Sequence, residues 1–325
     1  MILSGDIGGT NTRLAIYRDD GGGPSPEDEA TFPSGRYPGL GPIVAGFLEA
    51  RGARPDRACF GVPGPVRDGR CHTTNLPWIV DARDLSLALR IPRVLVINDL
   101  EAAADGIPGV APDLRVTIHP GSPDPAGNAA LIAPGTGLGE AGLFWDGGRH
   151  RPFATEGGHA SFAPRDALQR ELLIHLETQH GHVSWERVVS GPGLVAIHEF
   201  LRRRERSPDP GWLSEALRSE DPAAVISTAA IDGRSETCGR ALDLFIDCLG
   251  AEAGNLALKM KATGGVHVAG GIAPKILPRL TDGRLHRAFL DKGRMRPLLE
   301  TMPVDVILDP RLALMGAARH AMLAR

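Results

Sequence analysis

The stretch SGDIGGTN at residues 4–11 decides the fold. Residues 1–3 (MIL) predict a short strand before it, and residues 11–17 (NTRLAIY) predict a second strand with Leu14 and Ile16 on one face. A glycine-rich turn with one embedded carboxylate is therefore expected between two strands. This pattern differs from the commoner phosphate-binding loops, in which a strand runs through glycines into a helix N-terminus.

The residue types in this turn suit a phosphate group. Glycine has no Cβ, so backbone N–H groups at Gly8 and Gly9 can approach an anion closely. Thr10 and Asn11 add side-chain donors, and Asp6 can hold a Mg²⁺ ion or one of its waters. A plain glycine hairpin without a ligand would have the same local pattern, and the turn by itself leaves that alternative open.

The composition describes an ordinary folded protein with two domains. A chain of 325 residues exceeds the size at which a single core usually keeps growing. Hydrophobic residues make up 42% of the chain and charged residues 23%, which excludes a disordered protein. The net charge of −3 gives no electrostatic reason to bind nucleic acid or an anionic membrane, so neither is expected as a partner.

The cysteines and the start of the chain favour a cytoplasmic protein. The 4 cysteines include no CxxC pair, and Cys59 and Cys248 lie in apolar runs where they are expected to pack as small hydrophobic residues. No apolar stretch approaches the ~18 residues of a membrane span. Residues 1–6 (MILSGD) lack the basic and apolar regions of a signal peptide, which also predicts a cytoplasmic location.

Strands and helices alternate along the chain, which indicates an α/β fold. Residues 94–97 (VLVI) form a continuous apolar run between Pro92 and Asn98, as expected for a buried parallel strand. Residues 239–262 carry apolar side chains in steps of three or four, which predicts a long helix with one buried face. Shorter helices are predicted at 40–50, 82–90 and 312–323.

Asn98 and Asp99 follow directly on the buried strand 94–97. In open α/β sheets, ligands bind at the carboxyl ends of the strands, so a carboxylate at this point is well placed for chemistry. Asp99 could equally be the N-cap of a helix that begins at Leu100, because aspartate is a preferred residue there. The spacing alone does not decide between a catalytic base and a helix cap.

Residues 137–142 (GLGEAG) match the GxGxxG pattern of dinucleotide-binding proteins. That pattern requires a helix immediately afterwards, whereas residues 143–148 (LFWDGG) predict a strand and a turn. With no helix N-terminus expected for a pyrophosphate, the dinucleotide hypothesis is rejected. The strand–turn–strand pattern instead matches that of residues 4–17, which predicts a second phosphate-binding turn. Thr136 and Gly137 are therefore candidates to contact the same polyphosphate from its other side.

Two further glycine-rich segments carry candidate ligand contacts. In EGGH, a carboxylate at Glu156 and an imidazole at His159 flank two glycines, and such groups suit the hydroxyls of a sugar. A surface turn with an incidental histidine would have the same pattern. Gly270 and Gly271 follow a predicted strand at 266–268, where paired glycines would let a flat base or ribose lie against the backbone; a plain helix-entry turn remains the alternative.

Six motifs, taken in their order along the chain, resemble those of the bacterial glucokinase family, which is part of the superfamily of sugar kinases, actin and heat-shock chaperones. They are GDIGGTN at 5–11, VIND at 96–99, APGTGLG at 133–139, EGGH at 156–159, SGPGL at 190–194 and AGGI at 269–272. The resemblance implies an α/β, two-domain sugar-kinase (actin-like ATPase) fold with an interdomain active-site cleft. The small domain is expected at 1–109 plus about 301–325, and the large domain at about 110–300, with the change of domain before the turn-rich stretch 119–128.

The resemblance also implies which residues form the site. The nucleotide contacts that it implies are Gly5, Asp6, Ile7, Gly8, Gly9, Thr10, Thr136, Gly137, Gly270 and Gly271. Asp99 would be the catalytic base, Asp6 would contact the metal, and the sugar contacts would be Asn98, Asp99, Glu156, His159 and Glu186, with Asn75 as a weaker candidate.

The expected activity is the transfer of the γ-phosphoryl group of ATP to glucose, with Mg²⁺ bound to the nucleotide. A homodimer is the expected assembly. Two alternatives stay open: a kinase for another hexose, such as mannose, fructose or glucosamine, and a sugar sensor that binds the same ligands without turnover. The polar segments 20–28 and 206–222 match the family poorly, and nothing is inferred for them.

Overall fold

The structure is a computed structural model that describes residues 1–19, 21 and 23–324. The chain divides into two compact units, the first comprising residues 1–112, 150–154 and the chain from 309 onward. The second unit comprises residues 113–149 and 155–308. The domain boundaries expected at residues 109 and 300 stay predictions. Two positions of the polar segment 20–28, namely 20 and 22, lie outside the described residues.

The described residues form 14 strands. They are β1 (Ile2–Ile7), β2 (Asn11–Asp19), β3 (Pro24–Pro33), β4 (Arg57–Val62), β5 (Val66–Arg67), β6 (Arg70–His72), β7 (Ile79–Asp81), β8 (Arg93–Asn98), β9 (Arg115–His119), β10 (Ala129–Pro134), β11 (Leu138–Trp145), β12 (His150–Thr155), β13 (Gly265–Val268) and β14 (Val304–Ile307). The predicted opening strand 1–3 is too short, because β1 continues through Asp6 to Ile7.

The same residues form 12 α-helices. They are α1 (Leu40–Glu49), α2 (Ala82–Leu89), α3 (Asp99–Gly106), α4 (Ala167–His180), α5 (Gly191–Glu205), α6 (Gly211–Ser219), α7 (Pro222–Ile231), α8 (Glu236–Met260), α9 (Leu277–Leu280), α10 (Arg284–Leu290), α11 (Arg296–Leu299) and α12 (Leu312–Leu323). Within the described ranges, no helix has both the length and the apolar composition that crossing a bilayer requires.

The first unit is built on a five-stranded sheet in the order β3-β2-β1-β4-β8. Alternate side chains of its strands face opposite sides, as the period of two in a strand requires. Leu3 and Leu14 pack against α1, whereas Ile2 and Ala15 pack against α12. Both faces of the sheet are therefore covered by helices, which explains the continuous apolar run in β8.

Strands β1, β4 and β8 run parallel, so their carboxyl ends lie at one edge of the sheet. The glycine turn that begins at Gly8 follows β1, Pro63 and Gly64 follow β4, and Asp99 follows β8. This edge is the usual ligand-binding edge of an open parallel sheet. The first unit therefore places two of the predicted motifs, GDIGGTN and VIND, at the same edge.

The second unit contains a mixed sheet in which five strands run in the order β11-β10-β13-β14-β9. Strands β10, β13 and β14 are parallel, and β11 returns antiparallel beside β10. The long helix α8 carries buried Leu242, Phe245 and Leu249 on the face that the apolar periodicity predicts. The structure thus confirms the predicted helix at 239–262, although α8 begins three residues earlier, at Glu236.

Helices α3 and α12 of the first unit cross at glycines. A Cβ added to Gly316 would overlap the Ala102 carbonyl, and one added to Gly106 would overlap the Leu312 carbonyl. The two backbones can lie this close only because neither residue has a side chain. The crossing holds the C-terminal helix against the sheet edge that carries Asp99.

We predict that Gly316→Ala lowers the free energy of unfolding by about 1–3 kcal/mol or more, because the added methyl forces the two helices apart. The matched control is Gly46→Ala in α1, where no atom lies within 4 Å of the added Cβ. That control should stabilise the protein by about 0.4–1 kcal/mol. Urea denaturation of both variants measures the difference, and equal stability of the two would contradict the close crossing.

Candidate active site

Ser34, from a later part of the chain, stabilises the turn between β1 and β2. The Gly8 N–H donates to the Asn11 carbonyl at 2.9 Å and closes the turn. The Ser34 hydroxyl donates to the Gly8 carbonyl at 2.7 Å and lies 3.0 Å from the Thr12 hydroxyl. Thr10 and Asn11 are exposed at the tip of the turn. Ser34 fixes the shape of the turn, and no local sequence pattern marks this residue as part of the site.

Three of the predicted nucleotide contacts, Gly5, Asp6 and Ile7, lie in β1 rather than in the turn. Gly5 and Ile7 are buried, and a Cβ on Gly5 would lie 2.6 Å from a ring carbon of Phe60. In the antiparallel register with β2, Gly5 pairs with Leu14 and Ile7 pairs with Thr12. They support the turn from the core, and only their backbone atoms could reach a ligand.

Gly9 packs directly against the loop that carries Asn75. A Cβ on Gly9 would lie 2.9 Å from the Asn75 Cβ, closer than two such atoms normally approach. Glycine is therefore required at this position by contact within the protein, in addition to any contact with a phosphate. The exposed Asn75 side chain is brought next to the turn, as its role as a weaker candidate contact requires.

The Asp6 carboxylate is paired with an arginine across the β1–β2 ladder. Its Oδ2 accepts a hydrogen bond from Arg13 Nη2 at 2.6 Å, and Arg13 Nη1 donates to the Pro310 carbonyl at 2.5 Å. A single carboxylate that is already bonded to the Arg13 guanidinium does not provide a complete set of Mg²⁺ ligands. It does fit an ion that keeps most of its waters and is held mainly by substrate phosphates.

Asn98, rather than Asp99, caps helix α3. The Asn98 Oδ1 accepts from the Leu100 N–H at 2.9 Å, and its Nδ2 donates to the Gly64 carbonyl at 3.2 Å. Asp99 is the first residue of the helix, and its Oδ1 also accepts from the Leu100 N–H, at 3.0 Å. The alternative in which Asp99 is present only as the N-cap is therefore wrong, since Asn98 provides that function.

In the second unit, the turn between β10 and β11 is tied to Glu186. The Gly135 N–H donates to the Gly137 carbonyl at 2.8 Å, which closes the turn. The Glu186 Oε2 accepts from the Leu138 N–H at 3.0 Å, and a Cβ on Gly137 would overlap this carboxylate. Thr136 is exposed at the tip. A glycine at 137 is thus needed to make room for Glu186, whether or not a phosphate binds.

A cavity of 570 Å³ opens beside this turn. Its lining includes Thr136, Gly191 and Pro192 at the start of α5, and Gly271. The Gly191 N–H donates to the Gly135 carbonyl at 2.8 Å, so the N-terminus of α5 lies against the turn. The expectation that no helix N-terminus is available here was wrong. The helix comes from a distant part of the chain, so the local sequence after the glycines could not show it.

The two glycines at 270 and 271 have different roles. Gly270 has a φ of +83°, and a Cβ there would lie 2.5 Å from the Pro134 carbonyl oxygen, so only glycine fits. Gly271 lines the cavity, and its added Cβ would meet nothing within 4 Å. Of this predicted pair, Gly271 lines the cavity, and Gly270 allows the close approach of the chain to Pro134.

The EGGH segment presents the side chains of Glu156 and His159 outward from a tightly packed turn. Glu156 and His159 are 67% and 61% exposed, and Glu156 Oε2 lies 3.9 Å from His159 Nε2. Gly158 is buried, its carbonyl accepts from the Glu186 N–H at 2.9 Å, and a Cβ there would overlap the Leu138 carbonyl. Glu186 thereby contacts both this turn and the turn that contains Gly137.

The predicted site residues therefore lie in two groups, one in each unit. The first unit brings together Asp6, Gly8, Gly9, Thr10, Asn75, Asn98 and Asp99 at one sheet edge. The second unit brings together Thr136, Gly137, Glu156, His159, Glu186 and Gly271 around two joined turns and a cavity. Ser34 and the start of α5 are added to these groups by the structure.

Comparison with known proteins gives consistent results over the whole length. The family model described as Glucokinase matches residues 3–324. A glucokinase of Nostoc punctiforme is 43% identical over an alignment of 336 positions, which covers 98% of each chain. The structure of a glucokinase from an Antarctic psychrotroph has a TM-score of 0.86 and 34% identity, with 99% of each chain covered. A ROK family glucokinase from Streptomyces griseus, solved with glucose and AMPPNP, has a TM-score of 0.68 and 21% identity over 99% of each chain, which shows the fold alone.

The capping geometry predicts different stabilities for neighbouring variants. Asn98→Ala removes the cap and leaves the Gly64 carbonyl without its donor, so the free energy of unfolding should fall by about 1–2 kcal/mol. Asp99→Asn keeps a side-chain oxygen near Leu100 and loses a charge at the helix N-terminus, which costs less than about 1 kcal/mol. Urea denaturation of both variants tests this order. A larger loss for Asp99→Asn would make Asp99 the structural residue.

Proposed function

Because the chain belongs to the glucokinase family, it is an ATP-dependent hexose kinase, and we propose that the two groups of residues act together on ATP and glucose. The reaction transfers the γ-phosphoryl group of ATP to the 6-hydroxyl of glucose and gives glucose 6-phosphate and ADP. The proposal requires residues of both units to act on one pair of substrates. The interdomain cleft implied by the resemblance is part of this proposal.

Asp99 is assigned as the general base. It follows β8 at the carboxyl edge of the parallel sheet, and Asn98 already caps the helix, which is the observation that carries this assignment. A carboxylate at this point can accept the proton of the 6-hydroxyl as its oxygen attacks the γ-phosphorus. Positioning and charge stabilisation provide most of the rate acceleration in such transfers.

The acceptor sugar is assigned to Glu156, His159, Glu186 and Asn98. The first two are exposed side chains on a rigid turn, so they can exchange water for sugar hydroxyls. Glu186 and Asn98 each already accept a hydrogen bond from a backbone N–H group, through Oε2 and Oδ1 respectively. A carboxylate has about four acceptor sites, so Glu186 can hold the Leu138 N–H and a hydroxyl at the same time.

The nucleotide is assigned to the cavity beside the turn at Gly137. Gly271 supplies an open backbone surface for the base or ribose, and Thr136 with the N-terminus of α5 faces the phosphates. A helix N-terminus favours anions because its N–H groups and dipole are directed at them. In the first unit, Gly8, Gly9 and Thr10 are assigned to the terminal phosphate.

Mg²⁺ is assigned to the nucleotide, with Asp6 as its protein contact through water. When bound, the ion neutralises charge on the phosphate oxygens. The Arg13 guanidinium holds the Asp6 carboxylate in one orientation across the ladder, which limits how closely Asp6 itself can approach an ion. A cytoplasmic location and a homodimer, with no nucleic acid or membrane partner, complete the proposal; glucose is preferred over other hexoses on the family resemblance.

We predict that Asp99→Asn lowers kcat by at least about 10², the usual effect of removing a general base, while the KM for glucose changes less. The matched control is Asp84→Asn, which changes an exposed aspartate in the first turn of α2 and should leave kcat unaltered. A steady-state assay coupled to glucose 6-phosphate formation measures both. An Asp99→Asn enzyme that keeps more than about a tenth of the normal kcat excludes the base assignment.

We expect Glu156→Gln and His159→Ala to raise the KM for glucose by about tenfold, since each loses a hydrogen bond worth about 1–3 kcal/mol to a desolvated hydroxyl. The KM for ATP should change little in either variant, because the cavity beside Thr136 is unaltered. Initial rates over a range of glucose and ATP concentrations separate the two constants. Glucose kinetics that stay normal in both variants would remove these residues from the sugar site.

A further inference from the structure

A buried carboxyl group lies directly beneath the EGGH turn. Glu140 is on β11 and is 1% exposed, and its Oε2 occupies the space that a Cβ on Gly157 would need. The Thr155 hydroxyl donates to the Glu140 carbonyl at 3.0 Å, and the Gly157 N–H donates to the Thr155 hydroxyl at 3.2 Å. The side chain and the backbone of Glu140 therefore both contact the segment that presents Glu156 and His159.

Glu140 faces a second buried carboxyl group, that of Glu252 on α8. Glu252 is 0% exposed and accepts from Asn255 Nδ2 at 2.7 Å and from Lys259 Nζ at 3.2 Å. Glu140 Oε1 receives no hydrogen bond from an N–H group in the described part of the chain. Two adjacent carboxyl groups cannot both carry a charge cheaply in a buried site, so the charge on one opposes ionisation of the other.

The charges around this pair favour a proton on Glu140. Burial raises the pKa of Glu252, whereas the hydrogen bonds from Asn255 and Lys259 lower it, and Lys292 Nζ bonds to Asn255 Oδ1 at 2.6 Å. Burial first and then the charge of Glu252, against the opposing charge of Lys259, raise the pKa of Glu140 to about 8. Burial lowers the pKa of Lys292 to about 8, so this lysine loses its charge in the same range.

We propose that Glu140 is a positioning residue for the acceptor sugar, which in its neutral form supports Gly157 and sets the position of Glu156 and His159. The inference rests on the proposed function, because it assigns these two side chains to the sugar. When Glu140 loses its proton, its charge lies beside that of Glu252 and repels it. We expect the displacement at the glycine turn above Glu140, because α8 and the start of β11 contribute buried residues to the hydrophobic core.

The consequence is a pH-dependent affinity for the sugar. Below about pH 8 the Glu140 carboxyl is protonated and the turn holds its position, and above that pH the ionised group displaces it. The KM for glucose should therefore rise as pH passes through about 8, whereas the KM for ATP should not. Glutamine has the shape of a protonated glutamic acid and cannot ionise, so it should keep the low KM over the whole range.

The test compares the unaltered protein with Glu140→Gln and Glu140→Ala across this pH range, by steady-state assay with glucose and ATP varied in turn. In the unaltered protein, the KM for glucose should rise about 3-fold or more above pH 8, as small displacements of positioning groups have large effects. Glu140→Gln should remove that rise, and Glu140→Ala should raise the KM for glucose at every pH by a similar factor. Asp305→Asn, a buried carboxylate on β14 bonded to Thr117, is the control and should keep the original pH profile.

The outcomes are distinguishable. A Glu140→Gln variant with the same pH-dependent rise as the unaltered protein would overturn the inference, as would no rise in the unaltered protein. Equal effects of Glu140→Ala on the KM for glucose and for ATP would reduce Glu140 to a general structural role. If Glu140→Ala does not fold, the comparison of Glu140→Gln with the unaltered protein still decides. Failure of the proposed function would differ, because the unaltered protein would then not phosphorylate glucose at any pH.

Discussion

The hydrogen bond from the Leu138 N–H to the Glu186 carboxylate, at 3.0 Å, is the contact on which the site of the second unit depends. It fixes the turn that holds Thr136, while the Glu186 N–H fixes the Gly158 carbonyl at 2.9 Å. One residue thereby holds the turn assigned to the nucleotide and the turn assigned to the sugar. A shift in either turn must move the other, which suits a reaction that needs both substrates aligned.

Two glycines of the candidate site are required by contacts within the protein that the sequence alone does not reveal. They are expected to admit phosphate oxygens, but in the structure Gly9 makes room for Asn75, and Gly137 makes room for Glu186. Each glycine thus lets a polar side chain lie close to a turn that is assigned to the phosphates. Bulky replacements at these positions would disturb sugar and nucleotide contacts together, and variants of the exposed Thr136 hydroxyl are better probes of the nucleotide alone.

The sequence predicts the elements whose signal is local. Helix α8 follows from apolar steps of three or four, and β8 from one continuous apolar run, because both patterns lie within a single element. Side chains that reach the site from distant parts of the chain have no such local signal. Ser34 and Gly8 are 26 residues apart. Glu140 has the sequence context of an ordinary strand residue, and only the folded structure brings its carboxyl group next to Gly157. The family resemblance named the residues, and the structure shows which of them are turn supports and which face open space.

The central proposal is that this protein transfers the γ-phosphoryl group of ATP to the 6-hydroxyl of glucose. The most direct measurement incubates the purified protein with magnesium and ATP, and with either glucose or 6-deoxyglucose, and determines by NMR where the phosphate is attached. We expect ADP and glucose 6-phosphate in equal amounts, and no phosphorylated product from 6-deoxyglucose. Phosphorylation of 6-deoxyglucose, or ATP consumption that is the same with and without glucose, would contradict the account.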